Sequence, residues 1–290
     1  MAETYARPRF GQPREPKTRV NPGSRLVGVL DFATGSHARA VAFLLLCALL
    51  LFLPGFFNIP PIDRDEARFA QATKQMVETE DFVDIRFQDE VRYKKPVGIY
   101  WLQATAVETA AALGLPRAQV RIWLYRVPSL IGAIGAVLLT YWTALAFVTR
   151  RAAFLAALML CSSVLLGAEA RLAKTDAMLL LSVVAAMGAL ARVYLSWQRG
   201  EDPVHPPWTW PAIFWTALAG GILLKGPLIL MFVGLAIVTL AILDRSAAWL
   251  WRLRPVWGLM WTLVLVLPWF VAIVWRSGDA FLVDLSLIHI

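Results

Sequence analysis

Apolar residues of this chain fall in long blocks, not at the two-residue period of a half-buried strand. From residue 40 onward the blocks are about 20 residues long, the length of an α-helix that crosses the hydrocarbon core of a bilayer. Because a helix satisfies its own backbone hydrogen bonds in lipid, the pattern predicts membrane-spanning helices. We expect seven of them, at residues 40–57, 122–148, 152–169, 177–197, 208–224, 227–243 and 255–275.

The stretch between the first two blocks has a different character. Residues 58–95 hold 9 acidic and 7 basic side chains and cannot lie in hydrocarbon. Within this stretch, residues 65–79 place Phe69 and Met76 at helical spacing among polar side chains, which predicts an amphipathic helix lying on the membrane surface. Asp65 is positioned to cap the start of this helix.

The segment at residues 96–114 is harder to assign. Pro96 suits the first turn of a helix, and the segment is just long enough to span a bilayer. The carboxylate of Glu108 would then lie near the middle of the span, at a cost of about 2.5–3.5 kcal/mol on insertion scales. We therefore interpret residues 96–113 as a second juxtamembrane helix, although the positive charges of the loops are compatible with either choice.

The same pattern divides the chain into regions. Residues 1–39 are polar, proline-rich and basic, which predicts a disordered cytoplasmic tail. Because positive segments stay in the cytoplasm, residues 40–57 form the first transmembrane helix and deliver residues 58–121, with both juxtamembrane helices, to the outer side. Residues 122–275 supply the six further spans. Residues 276–290 end on the outer side just after a span, which is typical of a fragment of something longer.

The composition agrees with a membrane protein and narrows its chemistry. Mean hydropathy is +0.61, and the 290 residues include 13 Trp and 15 Phe. The formal net charge of +8 is explained by orientation and by contact with lipid headgroups, and no nucleic-acid-binding motif is present. The two cysteines lie inside apolar blocks and the three histidines lack ligand spacing, so we expect neither a redox role for the cysteines nor a histidine metal site.

Two polar loops carry ionisable groups next to apolar blocks, where a charge is costly unless it is paired or solvated. The carboxylates are Asp63, Asp65, Glu66 and Asp176, and the cations are Arg68, Lys94, Lys95, Arg171 and Lys174. This combination of charges suits a phosphate-bearing lipid that is approached by a second substrate. When a sugar leaves a polyprenyl phosphate, cations stabilise the departing phosphate. The incoming hydroxyl or amine needs one carboxylate to take its proton. A glycosidase would instead need two carboxylates that flank the bond.

Three segments, taken in order, resemble a known family. They are "DRDEARFAQATKQMVETEDFVDIRFQDEVRYKKPVGIYWLQA" at residues 63–104, "RVPSLIGAIGAVLLTYWTALAF" at residues 126–147 and "ARLAKTDAMLL" at residues 170–180. The chain resembles the GT-C glycosyltransferases of the protein-mannosyltransferase and lipid A aminoarabinose-transferase type over residues 50–245. The resemblance implies an all-α integral membrane protein of the GT-C fold that transfers a sugar, with inversion, from a polyprenyl-phosphate donor. The acceptor would be a lipid, glycan or protein on the periplasmic face of the bacterial inner membrane.

The resemblance also implies roles for particular residues. Asp65 matches the Asp of the family's Asp-Glu-x-Arg-aromatic motif, which implies a catalytic base or acceptor-orienting group. Lys95 matches the Lys of a Lys-Pro pair that holds the carrier phosphate, and Asp176 matches an acidic residue that assists catalysis or approaches a divalent cation. Further phosphate contacts are expected at Arg68, Arg171 and Lys174, and supporting roles at Glu66, Lys94 and Lys225. No obligatory cofactor and no nucleic acid partner are expected, while metal dependence and the oligomeric state stay open.

The chain departs from the aminoarabinose-transferase branch at two positions. That branch favours Tyr after the Arg of the motif and an acidic residue before the Lys-Pro pair, whereas this chain has Phe69 and Lys94. The lost phenol hydroxyl and the reversed charge leave open the identity of the sugar and any metal site that uses the acid.

Other interpretations of the same residues stay open. Asp65 could simply cap a helix and pair with Arg68, while Arg171, Lys174 and Lys225 could be anchors whose charged ends reach the membrane interface. The chain could be a transporter or flippase of a lipid-linked saccharide, which charges in the middle of the spans would favour. It could also be a non-catalytic membrane scaffold, which carrier binding without turnover would favour.

Overall fold

The structure, a computed structural model, describes residues 25–200, 208–278 and residue 281. Within these ranges the chain forms eleven α-helices and one hairpin, which confirms the helical prediction apart from the two short strands. The helices are α1 (Arg25–Thr34), α2 (His37–Phe52), α3 (Arg64–Thr79), α4 (Gly98–Ala112), α5 (Ile122–Ala144), α6 (Arg150–Cys161), α7 (Val164–Glu169), α8 (Asp176–Gln198), α9 (Thr209–Lys225), α10 (Leu228–Asp244) and α11 (Pro255–Ser277). The antiparallel strands are β1 (Arg86–Phe87) and β2 (Glu90–Val91), and two 3-10 turns lie at Ala118–Val120 and Ala248–Leu253.

All the apolar blocks predicted to span lie on helices, but fewer helices have the length of a span. Helices α5, α8 and α11 have 23 residues each and are apolar enough to cross a membrane. Helices α1 and α2 add a fourth candidate if this pair, bent by 114°, is one span. Helices α9 and α10 have 17 residues each. The chain is therefore a multi-pass helical membrane protein, and the count of seven spans stays a prediction.

The start of the chain corrects the predicted disordered tail at residues 1–39. Residues 1–24 lie outside the described part, but the rest of this segment contains α1. Ala33 of α1 is buried in a cluster with side chains of α2 and α6. Asp31 forms an ion pair of 2.5 Å with Arg151 at the start of α6. This packing and the long-range ion pair order a segment whose composition is typical of a tail.

A second correction concerns the block at residues 152–169, which forms two helices rather than one span. Helices α6 and α7 are separated by Ser162 and Ser163. The Ser162 hydroxyl donates to the carbonyl oxygen of Met159 at 3.0 Å. Serine side chains offer the backbone local alternatives to helical hydrogen bonds, which explains a break inside an apolar block.

Close backbone contacts at two glycines position the helix ends. Helix α8 packs between α5 and α9. A Cβ on Gly132 of α5 would lie 2.7 Å from the backbone nitrogen of Met178 in α8. A Cβ on Gly98, where α4 begins, would lie 2.7 Å from the carbonyl oxygen of Leu223 in α9. Because small residues let backbones approach, the N-terminal end of α8 packs closely on α5, and the N-terminal end of α4 meets the C-terminal end of α9.

Helices α3 and α4 form a layer against the ends of the longer helices. Phe69 of α3 packs with Tyr100 of α4 and with Trp269 of α11. The 15 residues of α4 extend about 22 Å at 1.5 Å per residue, which is short of a hydrocarbon core of roughly 30 Å. This length favours the juxtamembrane interpretation of residues 96–113, and α3 lies where residues 65–79 predict the first juxtamembrane helix.

Candidate active site

The predicted site residues gather where the N-terminal ends of α3, α4 and α8 meet the C-terminal end of α9. Backbone N–H groups without a partner in the helix, together with the helix dipole, favour negative charge at an N-terminal end. The meeting of three such ends therefore suits carboxylates or a bound anion.

Helix α3 begins with a capping aspartate, which is Asp63 and not Asp65 as expected. The Asp63 Oδ1 accepts hydrogen bonds from the backbone N–H groups of Asp65 (2.7 Å) and Glu66 (3.4 Å). Its Oδ2 accepts a hydrogen bond from the Lys174 Nζ at 2.7 Å. The hydrogen bonds from Lys174 and from the Asp65 backbone lower the pKa of Asp63, against a smaller opposing effect of burial. Asp63 therefore joins α3 to the segment that precedes α8.

The cap at Asp63 leaves the carboxylate of Asp65 clear of the helix start. The Asp65 side chain is 52% exposed, and the Arg68 Nη1 lies 3.8 Å from its Oδ1. An exposed pair at this distance contributes at most about 1 kcal/mol. The Asp65 carboxylate is therefore accessible to an incoming group.

A fully buried ion pair lies beside these groups. The Arg126 Nε donates to the Glu66 Oε1 at 2.7 Å, and both side chains have 0% exposure. The same oxygen accepts a hydrogen bond from the backbone N–H of Ala173 at 3.2 Å. The Nη atoms of Arg126 donate to the carbonyl oxygens of Phe56, Ile59 and Pro60. Arg126 was not predicted, although an arginine near the start of an apolar block is a usable signal.

A second ion pair connects two residues that were predicted separately. Asp176 begins α8 and Lys225 ends α9, and the Lys225 Nζ donates to the Asp176 Oδ1. Both side chains are partly exposed. The contact gives Asp176 a fixed position and places Lys225 inside the cluster.

Lys95 lies three residues before the first residue of α4, among these groups. Burial and the nearby charge of Lys225 lower the pKa of Lys95, while Asp176 and Asp65 act in the opposite direction and Arg92 lowers it further. Because charges shift a pKa mainly at short range, Lys95 lies close to both carboxylates. The structure thus brings together Asp65, Lys95 and Asp176.

The other predicted residues have different surroundings. Burial opposes the charge on Lys174, but its hydrogen bond to Asp63 and the carboxylate of Glu169 raise its pKa overall. Lys94 is exposed, and no ion pair joins it to a described residue. Arg171 donates to backbone carbonyl oxygens of Leu51, Pro54 and Gly167. This use of its donors ties the end of α2 to α7 and argues against the predicted phosphate contact of Arg171.

A cavity of about 200 Å³ lies beside Asp176, between α6, α7 and α8. Glu169 lines it together with Asp176, Ser163 and apolar side chains. Glu169 was not predicted, although a carboxylate at the end of an apolar block is a signal of the same kind as Arg126. Within the described ranges, no group of three or more His, Cys, Asp and Glu side chains is arranged to hold a metal ion. Metal dependence, which the sequence left open, therefore stays open.

Two curated proteins are similar in sequence. The chain is 28% identical over 237 residues to the undecaprenyl phosphate-alpha-4-amino-4-deoxy-L-arabinose arabinosyl transferase of Aeromonas salmonicida (strain A449), and the match covers 80% of this chain and 41% of that protein. The protein of the same name from Aeromonas hydrophila subsp. hydrophila is 28% identical over 237 residues, with 79% of this chain and 40% of that protein covered. This chain therefore spans about two fifths of the length of these relatives.

Two solved structures of ArnT from Cupriavidus metallidurans are similar in fold. The apo structure has a TM-score of 0.70 at 21% identity, covering 84% of this chain and 43% of that chain. The structure bound to undecaprenyl phosphate has a TM-score of 0.72 at 19% identity, covering 86% and 44%. The likeness confirms the predicted GT-C fold.

The match to a protein family covers most of the chain. The family model extends over residues 42–284, which include α3, α4, α8, α9 and every residue of the cluster. The resemblance seen in the sequence motifs is thus confirmed. The chain belongs to the dolichyl-phosphate-mannose-protein mannosyltransferase family.

Proposed function

We propose that the protein transfers a sugar from a polyprenyl-phosphate donor to a lipid, glycan or protein acceptor, with inversion at the anomeric carbon. The observation that carries the proposal is the cluster of Asp65, Lys95 and Asp176 at the meeting point of the helix ends. Both curated relatives are named as arabinosyl transferases of an undecaprenyl phosphate sugar, and one of the similar structures holds undecaprenyl phosphate.

The chemistry assigns one task to each charge. The acceptor's hydroxyl or amine attacks the anomeric carbon, and Asp65 takes its proton because this carboxylate is accessible. The bond between the anomeric carbon and the phosphate oxygen breaks, and the electron pair leaves on that oxygen. Lys95, assisted by Arg68, stabilises the charge on the departing phosphate. The phosphate leaves as a stable anion, so the step needs no general acid.

Asp176 supports this step through its charge. Burial and Lys225 lower the pKa of Lys95, and Asp176 is the largest influence that opposes them. Because Lys225 holds Asp176 in place, this support is fixed before the donor arrives. Asp176 therefore favours the protonated form of Lys95 next to the position of the phosphate.

The location of the cluster supports a site on the periplasmic side of the inner membrane. Arg150 and Arg151 bond to α1 and to the turn before α2, at one end of the bundle. The cluster lies beyond the opposite end of α2, where Arg126 holds the carbonyl groups after Phe56. Since arginines in short loops mark the cytoplasmic side, the cluster faces away from the cytoplasm.

A transporter would use charges in the middle of the spans. In the three helices of spanning length, the Asp, Glu, Lys and Arg residues lie in the terminal two turns: Arg126, Asp176, Arg192 and Arg276. This distribution favours chemistry at a surface over translocation through the bundle.

The test of the function is Asp65→Asn. We expect the rate of transfer from undecaprenyl-phosphate 4-amino-4-deoxy-L-arabinose to fall at least about a hundredfold, because a general base contributes 10²–10⁴. Folding should be unchanged, since Asp65 is exposed and does not cap the helix. Asp89→Asn, which changes an exposed carboxylate in the hairpin of the same loop, is the matched control. Undiminished transfer by Asp65→Asn, with a normal melting temperature, would refute the catalytic role.

A further inference from the structure

The charges of the cluster do not all pair with one another. Lys225 pairs with Asp176, Lys174 pairs with Asp63, and Arg68 lies 3.8 Å from Asp65. Besides the exposed Lys94, two partly buried cations are then left over, Lys95 and Arg92. In the part of the chain that the structure describes, neither has a carboxylate within ion-pair distance.

These two cations are close to each other. The charge of Arg92 contributes to the lowered pKa of Lys95, after the larger effects of burial and Lys225. Like charges held together in a partly buried place destabilise each other unless an anion joins them. The pair therefore has the electrostatic character of an anion-binding site.

The backbone around Arg92 is held in place on both sides. Its N–H donates to the carbonyl oxygen of Ile85 at 2.8 Å, which extends the hairpin by one hydrogen bond. The hydroxyl of the next residue, Tyr93, donates to the Asp84 Oδ1 at 2.9 Å. Lys95 follows two residues after Tyr93, in the segment that leads into α4. The hairpin thus fixes the position of Arg92 relative to Lys95.

The Arg92 side chain lies over an aromatic ring but keeps an unused donor. Its guanidinium carbon is 5.3 Å from the centre of the Phe69 ring. Its Nε is buried and has no hydrogen-bond acceptor among the described residues. Contact with the ring face uses none of the N–H groups of the guanidinium, and the Nε group stays available for a ligand.

A buried phenol lies beside this guanidinium. Tyr100 of α4 has 0% exposure, and its ring centre lies 5.5 Å from that of Phe69. Its hydroxyl makes no hydrogen bond of ordinary geometry within the described ranges, and the Arg92 guanidinium is near enough to act on it. Burial raises the pKa of Tyr100 to about 12, an effect that Arg92 opposes, so the hydroxyl stays protonated and able to donate at neutral pH. A buried polar group without a partner is uncommon and needs an explanation.

We propose that Arg92 and Tyr100, together with Lys95, form the binding site for the phosphate group of the polyprenyl carrier. The inference rests on the proposed function and extends it by two residues. Arg92 offers planar, paired N–H donors that match two phosphate oxygens, Lys95 offers a point charge, and Tyr100 offers a neutral hydroxyl donor. A phosphate in this place neutralises both leftover cations and gives the buried phenol an acceptor.

The experiment measures binding of undecaprenyl phosphate to the purified full chain in detergent. We expect Arg92→Gln to weaken binding about tenfold or more, because a charge-assisted hydrogen bond is lost. Arg92→Lys keeps the charge but loses the paired donors, so it should lie between Arg92→Gln and the native protein. Arg86→Gln removes a positive charge from the same hairpin and is the matched control, with binding within about twofold of native.

Tyr100→Phe separates binding from folding. We expect it to weaken binding about threefold or more while the melting temperature stays equal or rises, because the variant removes a buried hydroxyl that has no partner in the free protein. A merely structural role of Tyr100 would instead lower the melting temperature and leave the affinity unchanged.

Each outcome decides between the two proposals. If the native protein binds undecaprenyl phosphate and both Arg92→Gln and Tyr100→Phe bind it equally well, the phosphate site is overturned while the proposed function stands. If Arg92→Gln weakens binding no more than Arg86→Gln does, the effect is general charge and the site is likewise overturned. If the native protein does not bind the carrier at all, the proposed function fails and the phosphate site fails with it.

Discussion

Two arginines, the buried Arg126 and the partly buried Arg92, lie at the same end of the bundle and are satisfied to very different degrees. Arg126 has an acceptor for Nε and for both Nη atoms, and in its network only the second carboxylate oxygen of Glu66 is left over. Arg92 has an unused Nε, and its neighbour Tyr100 has an unused hydroxyl, among the residues that the structure describes. The first arginine holds the fold together, and the second has donors to spare.

The difference indicates what each group is for. A hydrogen-bond network that is complete but for one oxygen, in a region of low dielectric, fixes one arrangement of the elements that it joins, here α3, α5 and the segments on either side. An incomplete one costs about 1–3 kcal/mol for each buried group without a partner. That cost is recovered when a ligand supplies the missing acceptor, so an incomplete network between rigid elements is a preorganised binding site.

The largest expected effect comes from breaking the complete network. Arg126→Met leaves the carboxylate of Glu66 buried without its partner, which should cost about 3–5 kcal/mol of stability. The melting temperature of the purified protein in one detergent measures this loss. The double variant Glu66→Leu with Arg126→Met removes both charges and should recover most of it.

Arg121→Met is the control for this prediction. Arg121 precedes α5, is partly exposed and donates to the carbonyl oxygen of Pro116 at 3.2 Å. Its replacement should change stability by less than about 0.5 kcal/mol. An equally small change for Arg126→Met would show that the buried pair does not hold the fold, and the contrast between the two arginines would lose its basis.

A smaller effect is expected at the incomplete network, as a shift in pH dependence. Binding of the carrier phosphate needs a protonated Lys95, so it should weaken as pH rises through the pKa of Lys95, which burial and Lys225 lower. Lys225→Gln removes a repelling charge and raises that pKa, so the loss of binding should move to higher pH. The measurement is the affinity for undecaprenyl phosphate at a series of pH values. The quantity compared is the pH at which this affinity has fallen by half on the basic side.

The stability of the protein should respond to pH with the opposite sign. The folded protein holds the Lys95 proton less tightly than the unfolded chain does, because the pKa of Lys95 is lowered on folding. The unfolded state therefore binds more protons in this range, and stability rises as pH rises from the folded pKa toward the ordinary lysine value.

In the binding experiment, the loss of affinity at high pH is the result to compare. If it occurs at the same pH in Lys225→Gln as in the native protein, Lys95 does not control binding.

The sequence predicted the elements of the site better than their partners. The positions of α3 and α4 follow from an amphipathic stretch and from a proline before an apolar segment with a central carboxylate. The family motifs single out Asp65, Lys95 and Asp176, and the structure places the three together. The pairing of Lys225 with Asp176 depends on how the helices pack, including the tight glycine contacts of α5 with α8 and of α4 with α9, which no local pattern specifies.

Other features were beyond local patterns for identifiable reasons. The cap at α3 is Asp63 because Lys174, more than a hundred residues away, holds its second oxygen, whereas position in the motif favoured Asp65. The role of Arg171 depends on carbonyl groups at the end of α2 that it reaches through the fold. Arg92 carried no signal of its own, because an arginine in a charged loop is ordinarily solvated.

The smallest expected effect is at the cap that anchors α3. Asp63→Ala removes the acceptor for two backbone N–H groups and the partner of Lys174, which should cost about 1 kcal/mol because capping residues contribute 0.5–2. The pKa of Asp63 is lowered in the folded protein, so its contribution is present above the ordinary aspartate range and is lost as pH falls through the folded pKa.

The difference in melting temperature between the native protein and Asp63→Ala should therefore be largest near neutral pH and shrink on acidification. Asp89→Ala, at an exposed position of the hairpin, should differ little from the native protein at either pH. A difference for Asp63→Ala that stays constant from neutral pH to below the folded pKa would mean that its charge does not contribute. The ion pair with Lys174 would then lie next to the cap without strengthening the link between α3 and the segment before α8.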